Sequence, residues 1–209
     1  LSMGNQILDD IFLGYDQTNL MTIAGRAGSK KTWLICYLAL LCEKVLLQQD
    51  HAADILFITN EMAISQIELR YDAIKYSLPY ELLLKGKLSR EQTRKYSAAL
   101  RSPYKSKIVF AENCWTIDEV AAKISIYRPA IVFLDGSYLL EPDFNGAQWE
   151  KILRITRGLK MLTKNLRVPI VNTTQLGRGK GKAEKVSSFA AQDEFSFGLS
   201  YVRSEEHTS

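Results

Sequence analysis

The sequence predicts an α/β fold with a mostly parallel central sheet and helices on both faces. Three observations support this prediction. Short apolar segments of strand length alternate with segments of helical periodicity, which is the pattern of βαβ units. A glycine-rich loop at 25–32 separates such a strand from such a helix. A third apolar segment ends in Asp135, as a buried strand beside a ligand often does.

Strands are predicted at five short apolar segments, and an edge or late strand at one alternating segment: 20–24, 55–59, 107–111, 131–134, 169–173 and 195–202. A buried helix is predicted at 33–42, behind the glycine-rich loop. Further helices present apolar faces formed by Ile64, Ile67, Tyr71 and Ile74, and by Trp149, Ile152, Ile155, Leu159 and Leu162. The spacings of Ser89 to Gln92 and of Thr116 to Glu119 indicate capping boxes. The basic segment 77–107 is interpreted as a helical insertion.

Composition is ordinary for a globular protein, with 46% hydrophobic and 24% charged residues among 209. With only two histidines, a histidine-ligated metal site is not expected, and three cysteines without metal spacing are expected to be reduced and buried. The net charge of +4 permits a nucleic-acid partner without requiring one. The longest apolar run, 33–42, is shorter than the ~20 residues that span a bilayer, so no membrane association is expected.

The last seven residues, 203–209, resemble the translation of a DNA-sequencing adapter, and the alternative is a polar C-terminal tail. We interpret 1–202 as the natural domain and 203–209 as a non-native tail. Excluding the tail removes one arginine and two glutamates, which leaves a net charge of +5.

The glycine-rich loop reads Gly-Arg-Ala-Gly-Ser-Lys-Lys-Thr and matches the phosphate-loop pattern G-x-x-x-x-G-K-[ST] except at Lys30. Backbone N–H groups and the helix dipole favour an anion there. Lys31 is predicted to reach the outer phosphates and Thr32 to hold Mg²⁺. Glycine-like backbone angles at Lys30 would cost about 1–3 kcal/mol, which the fold can tolerate. The bulk of the Lys30 side chain beside the phosphates is the larger risk, so weakened but present ATP binding is expected, and a sequencing error at this position is the alternative. The predicted nucleotide-binding residues are Gly25, Arg26, Ala27, Gly28, Ser29, Lys30, Lys31 and Thr32.

Asp135 is predicted to hold Mg²⁺ through water, as a Walker B residue does. Gly136 follows it, so the catalytic base must come from elsewhere. Glu61 is the candidate, provided that strand 55–59 neighbours the phosphate-loop strand; the alternative is a first-turn glutamate favoured by the helix dipole. Gln175 can donate a hydrogen bond to a phosphate oxygen, or it is an ordinary polar strand end.

Five blocks in order resemble the RecA-like ATPase domain of DnaB-type hexameric replicative helicases, in phage-encoded variants. The blocks are Leu8-Asp9-Asp10 with Gly14 and Leu20, Asn60-Glu61-Met62, Ile131–Asp135 with Tyr138-Leu139, Thr174-Gln175-Leu176 with Arg178, and Phe189-Ala-Ala-Gln192-Asp193. The resemblance implies that Glu61 is the catalytic base and Gln175 the phosphate sensor. It also implies a RecA-like P-loop fold, ATP and Mg²⁺ as cofactors, a hexameric ring, and a cytoplasmic location in a bacterium or phage-infected host.

In the resembled family, loops at the place of segment 177–185 line the ring channel and bind single-stranded DNA. Arg178, Lys180 and Lys182 are therefore the predicted DNA contacts, and a solvated mobile loop is the alternative. The leading hypothesis is an ATP-dependent DNA helicase motor. A RecA-type recombinase or clock-type ATPase is one alternative, and a nucleotide-binding scaffold with hydrolysis impaired by Lys30 is another. The family's trans-acting arginine finger and primase-binding domain are expected outside this chain.

Overall fold

The computed structural model describes residues 1–101, 106–142 and 147–176. Its five strands form one parallel sheet in the order β1-β5-β4-β2-β3. Each lies within two residues of a predicted strand, and the sixth prediction, 195–202, falls outside the described residues. The strands are β1 (Leu20–Gly25), β2 (Ile55–Thr59), β3 (Ile108–Glu112), β4 (Ile131–Asp135) and β5 (Ile170–Gln175).

Helices connect the strands and cover both faces of the sheet, as predicted. They are α1 (Gln6–Phe12), α2 (Lys31–Gln48), α3 (Ile64–Lys75), α4 (Tyr80–Leu84), α5 (Arg90–Arg101), α6 (Ile117–Tyr127) and α7 (Gln148–Leu166), with a 3₁₀ turn at Ser137–Leu139. Both predicted capping boxes form, at Ser89 before α5 and at Thr116 before α6. No helix in the described ranges is long and apolar enough to cross a bilayer.

Alternate residues of the central strands pack into two separate cores, because successive side chains point to opposite faces of a sheet. On one face, Phe57 and Phe133 pack against α2 and α3. On the other face, Leu56, Val132 and Leu134 pack against α6 and α7. All three cysteines are free and buried in these cores, as expected.

Glu61 was expected to face the phosphate loop only if β2 neighbours β1, and the structure does not meet this condition. β2 does not neighbour the phosphate-loop strand β1, because β5 and β4 lie between them. The premise that β2 adjoins β1 was therefore wrong. β2 instead pairs with β4, in a register that places Thr59 opposite Asp135. Glu61, which follows β2, therefore lies nearest to the end of β4, and β4 and β5 separate β2 from the phosphate-loop strand.

A buried carboxylate, Glu43, connects α2 to α3 and to the start of β3. It accepts hydrogen bonds from the Tyr71 hydroxyl (2.9 Å), Lys75 Nζ (2.7 Å), Ser106 Oγ (2.8 Å) and the Lys107 backbone N–H (3.0 Å). Burial alone would raise the pKa of Glu43, but these donors outweigh burial and lower it. The anion therefore stabilises the side of the fold on which α3 packs.

Candidate nucleotide-binding site

The phosphate loop leaves β1 at Gly25 and enters α2 at Lys31. Lys30 is the residue before the helix and has a left-handed backbone, with φ 67° and ψ 24°. The expectation of glycine-like angles at this position is thus confirmed. Gly28 also has a positive φ, +75°. A Cβ added to Gly25 would lie 2.5 Å from Ser29 Oγ, so a side chain at the start of the loop would force the Ser29 hydroxyl to move.

Lys31 folds back across the loop instead of extending into solvent. Its Nζ donates hydrogen bonds to the carbonyl oxygens of Gly25 and Arg26, both at 3.1 Å, and the side chain is largely buried. The ammonium group is therefore held against the loop at the N-terminus of α2, where the helix dipole also favours an anion.

Asp135 ends β4 and is fully buried. Its Oδ1 accepts a hydrogen bond from Thr173 Oγ1 at 2.6 Å, whereas Oδ2 has no hydrogen-bond partner within the described ranges. Burial raises the pKa of Asp135, the hydroxyls of Thr173 and Thr32 lower it, the charge of Glu61 raises it, and that of Lys31 lowers it. The end of β4 therefore lies within electrostatic reach of all four residues.

An orphaned buried carboxylate oxygen beside a threonine hydroxyl is a donor set that suits a hard cation. Oδ2 of Asp135 lacks a partner among the described residues, and Thr32 is near enough to influence its protonation. Oxygen donors of this kind, supplemented by water and phosphate, are what Mg²⁺ prefers. The residues present therefore fit a magnesium ion bound together with a nucleotide.

Glu61 lies beside the end of β4. The Asn60 backbone N–H donates to the Asp135 carbonyl at 3.0 Å, which fixes the chain after β2 against the end of β4. A Cβ added to Gly136 would lie 3.4 Å from both Cβ and N of Glu61. Glu61 is solvent-exposed, and burial together with the Glu61 charge and a hydrogen bond raises the pKa of Tyr138 to about 12.

Gln175 lies at the end of β5 beside the first glycine of the loop. It is the register partner of Gly25, and the following Leu176 N–H donates to the Gly25 carbonyl at 3.1 Å. β5 thus runs along the base of the phosphate loop. The pKa of Asp135, at the end of β4, responds to Lys31, Thr32 and Glu61, while Gln175 adjoins the loop itself.

Sequence reasoning missed Thr173, whose hydroxyl occupies the centre of the site. Its Oγ1 donates to Asp135 and accepts from the Gly136 N–H at 2.8 Å. The run Asn172-Thr173-Thr174 places three polar residues in a buried strand, a signal that marks β5 but does not single out Thr173. Arg178, Lys180 and Lys182 lie outside the described residues.

Comparison with known proteins gives consistent results. The chain is 26% identical over 186 residues to replicative DNA helicase DnaB of Buchnera aphidicola subsp. Baizongia pistaciae, covering 85% of this chain and 39% of the relative. It is also 26% identical over 189 residues to a probable plasmid replicative DNA helicase of Chlamydia trachomatis, covering 88% and 41%. The chain thus spans about two fifths of the length of these curated relatives.

Two solved structures share the fold. A DnaB-like replicative helicase, solved in a study of its interactions with primase, superposes with a TM-score of 0.76 at 23% identity, over 92% of this chain and 48% of that one. A second solved structure, an ATPase domain, gives a TM-score of 0.74 at 22% identity, over 94% and 72%. The RecA-like fold is thereby confirmed. The family described as DnaB-like helicase C-terminal domain matches residues 1–188, and the chain belongs to this family.

Proposed function

We propose that this chain is the ATP-dependent motor of a replicative DNA helicase, which couples hydrolysis of ATP to movement along single-stranded DNA. One observation carries the proposal. Lys31, Thr32 and Glu61 come from two other segments, and each influences the pKa of Asp135, whose Oδ2 lacks a hydrogen-bond partner in the described ranges. A buried unsatisfied oxygen costs stability, so a bound cation is a physical reason for it to be there.

The binding step uses the loop between β1 and α2. The backbone N–H groups of residues 25–32 bind the phosphates, and Lys31 exchanges its bonds to the Gly25 and Arg26 carbonyls for phosphate oxygens. Thr32 and Asp135 would hold Mg²⁺. The chemistry supplied by the bound ion would be neutralisation of phosphate charge.

Glu61 acts as the base that orients and deprotonates the attacking water. It is exposed to solvent, so water has access, and the Tyr138 hydroxyl interacts with its carboxylate. Its position beside Gly136 keeps it at the end of β4, next to the proposed metal. A positioned base of this kind contributes about 10²–10⁴-fold to a rate.

Gln175 reports loss of the γ-phosphate to the DNA-binding segment. β5 carries Thr173 at the metal carboxylate and Gln175 at the phosphate loop, and segment 177–185 follows directly. A change in the hydrogen bonding of Gln175 therefore has a short covalent path to Arg178, Lys180 and Lys182. These residues neutralise the phosphates of single-stranded DNA.

In the longer protein, we propose a hexameric ring that binds ATP between subunits in the cytoplasm of a bacterium or a phage-infected host. Two other functions use the same fold. A recombinase or clock-type ATPase would hydrolyse ATP without displacing a DNA strand. A scaffold would bind nucleotide without hydrolysis, for which the Lys30 substitution is the motivating observation.

The decisive experiment measures ATP hydrolysis with and without single-stranded DNA. We expect DNA-stimulated hydrolysis that Glu61→Gln abolishes while nucleotide binding is retained. Nucleotide binding with no hydrolysis under either condition would support the scaffold instead. Glu61→Gln hydrolysing at the wild-type rate would exclude Glu61 as the base.

A second measurement tests the DNA contacts. Replacing Arg178, Lys180 and Lys182 together with alanine should flatten the salt dependence of single-strand binding by about two logarithmic units per decade of salt. The matched control replaces three exposed basic residues elsewhere, Lys44, Arg128 and Lys164, with alanine. An equal change in both variants would show a general charge effect and would remove the loop from the mechanism.

A further inference from the structure

Positive charge is concentrated in one short part of this protein. Residues 85–101 contain six basic residues and one acidic residue, for a local charge of +5, whereas the whole chain carries +4. The rest of the chain therefore sums to about −1. The six basic residues are all solvent-exposed, and they are Lys85, Lys87, Arg90, Arg94, Lys95 and Arg101.

Three of these residues form a line on α5, which we call the arginine stripe: Arg90, Arg94 and Arg101. At 100° per residue they fall within about 40° of one another around the helix. At 1.5 Å per residue they are separated along the axis by about 6 Å and about 10 Å. The stripe is thus a narrow row of guanidinium groups about 16 Å long.

The opposite face of α5 is anchored to the domain. The Tyr96 hydroxyl donates to Asp72 of α3, and the Tyr96 ring packs edge-on against Tyr76 with centroids 5.5 Å apart. The Ser89–Gln92 capping box fixes the first turn of the helix. Because Tyr96 lies about 120–160° from the stripe around the helix, anchoring this face directs the stripe to solvent.

The carboxylates on this part of the surface pair with lysines and not with the stripe. Glu81 pairs with Lys85 and Glu91 pairs with Lys95. Within the part of the chain that the structure describes, none of the three stripe arginines has an acidic partner. Each guanidinium therefore presents its planar set of donors to solvent, and that geometry suits phosphate oxygens.

We propose that the arginine stripe binds the phosphate backbone of DNA, as a contact additional to segment 177–185. α5 packs on α3 and leads into β3, which is the edge strand opposite to the phosphate-loop strand β1. The stripe is therefore separate from the nucleotide site. It contacts phosphates and no base edges, so its binding is independent of sequence.

A linear polyanion suits the stripe better than other acidic partners do. Evenly spaced phosphates can engage guanidinium groups along a row, while side chains next to the stripe, Ser97 and Ala98, are too small to insert into a membrane. The exposed Leu100 lies about 80–120° away around the helix. This proposal rests on the proposed function in one respect, which is the assumption that the polyanion bound by this protein is DNA.

The test compares DNA binding by the whole chain and by the Arg90→Ala, Arg94→Ala, Arg101→Ala triple variant. Fluorescence anisotropy with labelled single-stranded and duplex oligonucleotides is measured over a salt series without nucleotide. We expect the slope of log affinity against log salt to fall by about two for the single strand and by up to about three for the duplex. The Lys44, Arg128 and Lys164 alanine variant removes the same charge and should lose less than half as much.

Two further variants complete the experiment. Replacing the same three arginines with lysine should keep most of the slope and lower the affinity, because charge is retained and the forked donors are lost. If the alanine variant unfolds, the glutamine variant replaces it. An unchanged slope, or one lowered as much by the control variant, would overturn the proposal.

Other partners and the proposed function are tested separately. A stripe variant with wild-type DNA binding that loses binding to vesicles containing phosphatidylserine would overturn the proposal in favour of a membrane. Inorganic polyphosphate that competes as strongly as DNA of equal charge would overturn DNA as the occupant. The Glu61→Gln variant should lose DNA-stimulated hydrolysis and keep the wild-type slope of log affinity against log salt. This result would show that the nucleotide site and the arginine stripe act independently.

Discussion

Lys30 stands where a phosphate loop ordinarily has glycine, and Lys30→Gly should therefore stabilise the protein. The φ of 67° at this residue costs an ordinary side chain about 1–2 kcal/mol. Glycine removes that cost but increases the entropy of the unfolded chain by about 0.5–1 kcal/mol. The net gain is about 0.5–1 kcal/mol, or a rise in Tm of about 1–4 °C for a chain of this length.

Nucleotide binding should respond less than folding to the same substitution. Lys30 already has the left-handed backbone in the ligand-free structure, so the strain lowers folding stability and is not added again on binding. Its side chain is exposed, and only its bulk beside the phosphates opposes the ligand. Wild type should bind ATP, and Lys30→Gly should bind it less than about tenfold more tightly, which corresponds to about 1.4 kcal/mol.

Isothermal titration calorimetry with ATP and Mg²⁺, together with thermal unfolding, measures both effects. Arg128→Gly is the matched control, because Arg128 also has a left-handed backbone, with φ 46°, at the exposed end of α6. It should raise Tm similarly and leave ATP affinity unchanged. Absence of wild-type binding at millimolar ATP, with binding restored by Lys30→Gly, would refute the reasoning. A lower Tm for Lys30→Gly would also refute it.

Three further substitutions test other contacts. Asp135→Asn removes a buried carboxylate whose Oδ2 has no described partner, so the ligand-free chain should unfold at higher urea while magnesium-dependent nucleotide binding is lost. A lower urea midpoint would contradict this account. Glu43→Gln leaves the partly exposed Lys75 without its carboxylate, and the free energy of unfolding at neutral pH should fall by about 2–3 kcal/mol. Because the pKa of Glu43 is lowered by folding, this deficit should be complete above pH 4.5 and shrink as the pH falls through the folded pKa; a constant deficit in acid would exclude the anion as its source. Gly136→Ala should reduce stability and ATP hydrolysis more than Gly86→Ala, since both residues have positive φ but only Gly136 has atoms within 3.4 Å of an added Cβ. Equal losses in unfolding and turnover assays would show that backbone strain alone is responsible.

Local patterns predicted the elements of this fold well, and long-range order was where sequence reasoning failed. Capping boxes and apolar segments depend on neighbours a few residues apart, which is why α6 and β4 appear where expected. The place of β2 in the sheet depends on packing between distant segments, and the premise that β2 adjoins β1 was wrong. Helix α1 was missed because it is only seven residues long, although Ile7, Leu8, Ile11 and Phe12 recur at helical spacing. That apolar face is largely exposed to solvent.

The candidate site shows the same division. The phosphate loop could be identified from one contiguous motif, including the backbone conformation of Lys30. Thr173 could not, because its role comes from the pairing of β5 with β4, which brings its hydroxyl to Asp135 and to the Gly136 N–H. Threonine is common in buried strands, and only the hydrogen bonds of Thr173 to Asp135 and Gly136 distinguish it from a threonine with a purely structural role.

Gly136 connects two facts that looked independent in the sequence. Its presence argued that the catalytic base does not follow Asp135 directly. In the structure it has φ +89°, and an added Cβ would contact Glu61 at 3.4 Å. A glutamate at position 136 would therefore be strained, and its Cβ would contact Glu61. Gly136 therefore leaves space for Glu61, the proposed base, beside the end of β4, although β2 lies three strands from β1 in the sheet.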